Sequence, residues 1–285
     1  MDRRVSVVIA TLDRARELVR SLDLLCSLPE EPAVIVVDNG SCDGTPELVR
    51  RDFPRVKVIA LGENLGAAAR TVGVRAAATS YVAFSDDDSW WAPGSLMIAA
   101  DRLDSHSRLG LIAARVLVGA EEALDPTCEA MAASPLPRRA GLPGTTVLGF
   151  LACGAIVRRS AFLDAGGFEV RFGVGGEEEL LAIELASAGW DLVYCEDLIA
   201  HHHPSISAHR PGRRRRQCRN ALWAAWLRRP LPVALRMTAH AAARGCSDPV
   251  AFAAFADALT GLAWAIRRRR PVSKEIEGLL KRLGH

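Results

Sequence analysis

The chain opens on a short β-branched run, Val5-Ser-Val-Val-Ile-Ala, which reads as a buried strand. Leu18, Leu22 and Leu25 then recur at helical spacing, predicting a helix over about residues 15–27 that Pro29 and Pro32 end. Ala33-Val-Ile-Val-Val predicts a second buried strand, stopping at Asp38-Asn39-Gly40. Thr45-Pro46 predicts a helix start, with Thr45 as N-cap and proline at the first helical position. Residues 56–60 predict a third strand and residues 67–78 a third helix. Tyr81-Val-Ala-Phe predicts a fourth strand that runs into Ser85-Asp86-Asp87-Asp88. Strands alternating with helices through short connections are the pattern of a parallel, three-layer α/β domain. Ligands bind such sheets beyond the carboxyl ends of the strands. The polar clusters fall there: Thr11 to Arg14, Asp38 to Asp43, Glu63 to Gly66, and Asp86 to Asp88.

The pattern is less regular further on. Residues 119–146, with four prolines, read as a loop excursion. Residues 147–158 resume a strand-like pattern, and residues 177–188 read as a helix that opens on three carboxylates. Asp191-Leu-Val-Tyr-Cys predicts a strand ending before His201-His202-His203, and the region after Pro204 reads as helical. Phe252, Phe255, Leu259, Leu262 and Ile266 follow 3-4-3-4 spacing, which marks the apolar face of one amphipathic helix.

Composition and charge add a division. Of 285 residues 49% are apolar, enough to bury a sizeable core. The net charge of +3 hides an asymmetry: residues 205–285 carry 17 Lys plus Arg against 4 acids, and residues 1–204 carry 19 against 29. We therefore expect a catalytic domain over 1–204 and a basic helical extension over 205–285. The N-terminal apolar stretch is too short for a signal peptide, and no run of 18 apolar residues occurs, so no targeting segment or membrane span is expected. Seven scattered cysteines with no C-x-x-C pair read as reduced, mostly buried thiols. The expected location is the cytoplasm.

Three adjacent aspartates at a strand end repel one another unless positive charge sits among them. A divalent cation with a preference for hard oxygen fits Asp86-Asp87-Asp88, and such an ion bridges diphosphate oxygens. In isolation the triplet would read as a solvated acidic turn, and its place among other strand-end clusters favours the metal. Asp38 can accept from a pyrimidine imide or close an Asx-turn. Asn64 and Gly66 suit a tight turn, and Arg70 can reach a phosphate or the acidic cluster. Glu177-Glu178-Glu179 offers a general base for an acceptor hydroxyl, although acids in a first helical turn also answer the helix dipole. His201-His202-His203 offers a metal ligand or phosphate contact, or a surface cap.

These clusters, in this order, resemble glycosyltransferase family 2, the inverting family with the GT-A fold. The matching segments are VSVVIATLDR (5–14), VDNGSCDGT (37–45), ENLGAAAR (63–70), FSDDDSW (84–90), CGAIVRRSAFLDAGGFE (153–169), GEEELLAIELASAGW (176–190) and EDLIAHHHPS (196–205). The flavour is similar to bacterial rhamnosyl- and galactofuranosyl-transferase-like members. The resemblance implies a GT-A α/β/α sandwich with a C-terminal helical extension, a nucleoside-diphosphate-sugar donor (UDP-, dTDP- or GDP-linked) and a divalent metal, Mn²⁺ or Mg²⁺. It implies that Thr11 and Asp38 contact the base, that Asn64, Gly66 and Arg70 line the donor site with Arg70 near the diphosphate, and that Asp86 approaches the ribose or metal water. Asp87 is counted with the donor-binding residues without a role of its own. Asp88 falls on the direct metal ligand, His202 on a histidine near the diphosphate and metal, and Glu178 where the family has an aspartate base. Three departures stand out: Glu178 replaces that aspartate and leaves Glu177 a rival, Thr71 replaces an asparagine, and Leu180 replaces a second helix aspartate.

Two alternatives stay beside the glycosyltransferase reading. A sugar-1-phosphate nucleotidyltransferase shares the metal-dependent nucleotide chemistry, but residues 10–20 lack its Gly-rich loop. A catalytically degenerate nucleotide-sugar binder is the other. The arginine blocks 213–216 and 267–270 read as peripheral attachment to the inner face of a membrane, suited to a lipid-linked glycan acceptor, or as packing on the acidic body or on a second copy of the chain. No motif accompanies the charge that would indicate nucleic acid.

Overall fold

Alternating side chains on each early strand are apolar toward both faces, so the sheet must be covered on both sides. The computed structural model of the chain describes residues 3–205 and 212–284. Strands β1 (Val5–Thr11), β2 (Ala33–Asp38), β3 (Lys57–Ala60) and β4 (Tyr81–Ser85) pair in parallel in the order β3-β2-β1-β4. Helices α1 (Ala15–Cys26), α2 (Thr45–Asp52) and α3 (Ala69–Ala76) connect them, α3 being entered through a 3-10 turn over Gly66–Ala68. The next elements are β5 (Ser89–Trp91), α4 (Ser95–Ser105), β6 (Leu109–Val118), β7 (Ala123–Leu124), α5 (Pro126–Ala132), β8 (Thr145–Thr146), β9 (Ala155–Arg158), α6 (Arg159–Asp164), α7 (Glu177–Ser187) and β10 (Asp191–His202).

The sheet continues β4-β9-β6-β10-β5, with β9 antiparallel to both of its neighbours and β5 antiparallel to β10. The parallel expectation therefore holds for the first four strands, and the whole sheet is mixed. Val7, Ile9, Val34 and Val36 pack with Leu18, Leu22 and Leu25 of α1 and Leu96 and Leu103 of α4. Val8, Ile35 and Val37 face the other way, onto α3, α5, α6 and α7. The period-2 alternation of the strands thus divides one core into two and makes three layers.

Several sequence expectations shift. Gly44 in the left-handed region precedes α2, and Thr45 is its first residue, with Thr45 donating through N–H (3.0 Å) and hydroxyl to Asp43. The 119–146 excursion holds β7, α5 and β8, and the strand expected from 147 begins only at Ala155. The strand expected to stop at Cys195 runs on to His202 past an irregularity between Cys195 and Ile199. All seven cysteines are free, but Cys26, Cys42 and Cys246 are exposed.

The C-terminal helices are α8 (Arg213–Arg228), α9 (Leu231–Gly245), α10 (Pro249–Arg267) and α11 (Lys274–Arg282). Leu222, Trp223 and Leu227 of α8 pack with Trp264 and Ala265 of α10, and with Phe172 and Leu180 of the α/β body. Leu180, the departure from a family aspartate, therefore joins α7 to the helical extension. Arg228 pairs with Glu184 of α7, and Arg229 pairs with Glu277 at 2.8 and 3.1 Å in a buried setting. Three residues of the 3-4-3-4 apolar stripe of α10 face outward, Phe252 62% exposed, Leu259 49% and Ile266 48%, while Phe255 packs partly buried against the α8–α10 core. The buried face is instead Ala251, Ala254, Ala258, Gly261 and Ala265 with Trp264. Small residues let α10 approach α8, where the Trp223 indole lies over Gly261 and donates to the Ala258 carbonyl at 2.8 Å. Among the described residues, α10 is the one helix long and apolar enough to cross a membrane by length and composition, and a third of it is buried.

Candidate active site

Carboxyl ends of parallel strands share one rim of a sheet, which is where the polar clusters meet. Thr11 and Asp38 end β1 and β2 in register, β4 runs into Asp86, and His202 ends β10 opposite Ser89. A cavity of about 740 Å³ opens there. Its wall includes Thr11, Asn64, Gly66, Arg70, Asp86, Asp87, Asp88, Glu177, Glu178 and His202. A smaller cavity of about 230 Å³, between α7, β10 and α11, holds none of the expected residues.

Asp38 is not on that wall. It is buried, and its carboxylate accepts from the N–H groups of Gly40 (3.1 Å) and Ser41 (2.9 Å) and from the Ser41 hydroxyl, an Asx-type turn. Its neighbour Asn39 reaches the cavity, donating to the Gly66 carbonyl (3.3 Å) and accepting from Leu65 N–H (3.0 Å). Asn64 accepts from Gly66 N–H at 2.8 Å. Gly66 itself sits at φ +59°, and a Cβ there would lie 2.7 Å from the Gly173 carbonyl oxygen. Only glycine allows this approach, and it sets the 64–66 turn against the loop leading to α7.

The aspartate triplet divides its work. Asp86 pairs with Arg70, and its N–H donates to Ser89 Oγ at 2.7 Å. Asp87 accepts from Thr11 Oγ1 (3.2 Å) and pairs with Arg14 Nε (3.4 Å), while its carbonyl accepts from Ser21 (2.9 Å). Asp88 pairs with Arg14 Nη2 (2.9 Å) and with His202 Nε2 (3.3 Å). Burial, and then repulsion from Asp88 and Asp86, pushes the Asp87 carboxyl up to about 7. Burial lowers the His202 imidazole, but the bond to Asp88 and the charge of Asp86 outweigh it and raise its pKa.

Asp86, Asp88 and His202 each offer a ligand atom within 4.8 Å of the others, a group that could hold a metal ion. Strand alternation explains why only the middle histidine joins it. His201 stacks on Trp90 (5.5 Å between centroids) and meets Glu122 at 3.2 Å, and His203 also lies against Trp90 (4.7 Å) and meets Arg20 at 3.2 Å.

Across the cavity, α7 brings in the carboxylates. Glu177 is 5% exposed and accepts from Gly175 N–H, two residues back in its own loop. Glu178 accepts from Ala152 N–H at 2.6 Å. Burial, and then the charge of Glu177, pushes the Glu178 carboxyl up to about 7, against the pull of Ala152 N–H and Arg70. Burial likewise pushes the nearby Cys153 thiol up, so it stays protonated.

This wall, nucleotide-sized and lined by acids held against arginines, is the setting for comparison with known proteins. A family model, Glycosyl transferase family 2, matches residues 6–166. The chain belongs to this family. It is a glycosyltransferase, and the resemblance drawn from its motifs is upheld. Among family relatives, the N-acetylglucosaminyl-diphospho-decaprenol L-rhamnosyltransferase of Mycobacterium tuberculosis is 30% identical over 244 aligned residues, covering 73% of this chain and 77% of the relative. Solved structures agree on the GT-A fold. S. aureus TarS 1–349 in complex with UDP-GlcNAc superposes with a TM-score of 0.61 at 18% identity, over 78% of this chain and 66% of that one. The chain spans 39% of a longer TarS chain. The mannosyltransferase PcManGT of Pyrobaculum calidifontis, in complex with GDP-Man and Mn²⁺, superposes with a TM-score of 0.57 at 21% identity, over 99% of this chain and 86% of that one. Glu177, Glu178 and His202 lie beyond the span of the family model.

Arg14 and Asn39 carry no role in the sequence expectations, and the first turn of α8 was expected at a membrane or a packing surface; all of them line the cavity. Arg14 and Asn39 follow strand ends, a signal that was open to reading. The place of α8 depends on Asn220, whose side-chain amide donates to the carbonyls of Phe172 (2.9 Å) and Gly175 (2.5 Å), and no local pattern announces that.

Proposed function

We propose that this family 2 enzyme moves a sugar, with inversion, from a UDP-, dTDP- or GDP-linked donor to a hydroxyl of a lipid-linked acceptor, with a divalent cation at Asp86, Asp88 and His202. One observation carries the reading: Glu178 and the Asp86–Asp88–His202 cluster face the same cavity from opposite elements. Two carboxylates and one imidazole suit Mn²⁺ or Mg²⁺. When bound, such an ion supplies charge neutralisation for the diphosphate leaving group.

The chain's own residues do the rest. Thr11, Asn39, Asn64 and Gly66 form the wall beside the nucleotide, with Asp38 shaping the turn behind Asn39. Arg70 and Arg14 balance Asp86, Asp87 and Asp88. Glu178 removes the proton of the acceptor hydroxyl. That oxygen attacks the anomeric carbon as the bond to the diphosphate breaks, and the bonding pair leaves with the diphosphate oxygen. Each carboxylate accepts from one backbone N–H, and Glu178 is the less buried of the two, which favours it as the base. The family assignment weighs against a nucleotidyltransferase, and a carboxylate at Glu178 facing the Asp86–Asp88–His202 group across one cavity weighs against a degenerate binder.

The lipid-linked acceptor is read from the mycobacterial relative, whose name carries a diphospho-decaprenol. Peripheral membrane contact is read from Phe252, Leu259 and Ile266, exposed on α10 beside Arg267, Arg268 and Arg270. Full-length protein sedimented with anionic vesicles should lose binding when the three apolar residues are changed to serine, and unchanged binding would remove that part. The catalytic reading is tested by donor turnover in Asp88→Ala and Glu178→Gln. Full turnover in both, with the donor bound, would overturn it.

A further inference from the structure

The arginine run 213–216 is not one uniform charged face. Arg214 pairs with Asp248, and Arg215 holds Asp257 through two bonds of 2.6 Å, so both are spent on tying α8 to α10. Arg213 and Arg216 point the other way and line the active-site cavity. Among the described residues neither makes an ion pair. The cavity's other arginines, Arg14 and Arg70, are committed to Asp87, Asp88 and Asp86.

Their place is fixed. Gln217, also on the wall, lies so close to Gly175 that a Cβ there would be 2.7 Å from its Cγ. Asn220 latches the next turn of α8 to the carbonyls of Phe172 and Gly175. The same loop leads directly into Glu177 and Glu178 at the start of α7. The two arginines therefore border the side of the cavity where the acceptor hydroxyl must meet its base, whereas the donor's nucleotide side is formed by the ends of β1, β2 and β3.

Charge accounting sharpens this. The cation proposed at Asp86, Asp88 and His202 would supply the counter-charge of a donor diphosphate. A neutral sugar hydroxyl needs none. Two uncommitted guanidinium groups beside the acceptor position suit a second phosphate-bearing ligand, since guanidinium matches phosphate bidentately. We propose that Arg213 and Arg216 bind the phosphate or diphosphate through which the acceptor sugar is joined to its lipid. This rests on the lipid-linked acceptor reading above and adds the residues that recognise its phosphate.

The test measures binding rather than turnover, so it fails separately from the transferase reading. Farnesyl diphosphate and farnesol are titrated into full-length protein by calorimetry, without divalent cation. Wild type should bind the diphosphate and not the alcohol. Arg213→Ala and Arg216→Ala should each weaken binding about tenfold, with partial recovery in the lysine variants. Arg214→Ala should bind as wild type does. UDP, dTDP and GDP, each with Mn²⁺, form the second arm, and their affinities should be unchanged in Arg213→Ala/Arg216→Ala. Equal binding of farnesyl diphosphate by wild type and the double variant, or no binding by either, overturns the proposal. A loss of nucleotide affinity matching the loss of farnesyl diphosphate assigns the arginines to the donor and overturns it as well. Loss of donor turnover in Asp88→Ala would stand through all of these outcomes.

Discussion

Changing Glu177 to glutamine removes one negative charge beside the proposed base and leaves an oxygen able to accept from Gly175 N–H. In the wild type, burial and then the Glu177 charge hold the Glu178 carboxyl at about 7. A general base works ionised, so activity should rise with pH through about 7 and level above it. At pH 6 only about a tenth of Glu178 would be ionised, and the rate should fall about tenfold per pH unit below that. Asp87 is also pushed up to about 7 and could give the same profile. Its causes are burial, Asp88 and Asp86, with Glu177 absent from them. Glu177→Gln therefore separates the two groups: the acid limb should move to lower pH, because only burial and the Asp86 charge then act against Ala152 N–H and Arg70. Glu178→Gln should reduce the plateau by about 10²–10⁴-fold, the usual range for a lost general base. The assay is initial-rate donor turnover from pH 5.5 to 8.5 at saturating Mn²⁺, which holds His202 in one state. An acid limb unmoved in Glu177→Gln would refute the reasoning, as would a flat wild-type profile.

Gly66→Ala should weaken donor affinity and lower the melting temperature. The left-handed φ alone costs about 1–2 kcal/mol, and the 2.7 Å approach to the Gly173 carbonyl forces the loop before α7 to shift. Calorimetric donor binding and a thermal melt check both, and wild-type values in both would contradict it. Glu277→Ala should destabilise by about 1.5–3 kcal/mol, because it removes the carboxylate that holds the buried Arg229 guanidinium between α8 and α11. Denaturant unfolding reads that, and a change near zero would mean water reaches Arg229.

The first half of the fold was legible because its strands are short, β-branched and evenly spaced, and each ends in a polar cluster. The mixed second half was not. An antiparallel β9 and a β10 that continues past Cys195 depend on pairing partners distant in sequence. The apolar stripe on α10 marked the helix but not which side it buries, for a related reason. Periodicity finds an apolar face, but close approach to Trp223 selected the alanine and glycine face for burial. In the site, Asp86, Asp88 and His202 were readable as titratable groups at strand ends, and strand alternation explains why His201 and His203 turn away. Arg213 and Arg216 were legible as charge but not as part of the site, since only the Asn220 latch brings α8 to the cavity.

We propose that the Asp86–Asp88–His202 cluster and the strand-end cavity together form a metal-dependent nucleotide-sugar site. Calorimetric binding of UDP, dTDP and GDP, with Mn²⁺ and with EDTA, tests it most directly in wild type, Asp88→Ala and His202→Ala. One of these nucleotides should bind wild type tightly only with Mn²⁺, and either substitution should remove most of the Mn²⁺ effect. Binding equally tight in EDTA, or a full Mn²⁺ effect in Asp88→Ala, would contradict it.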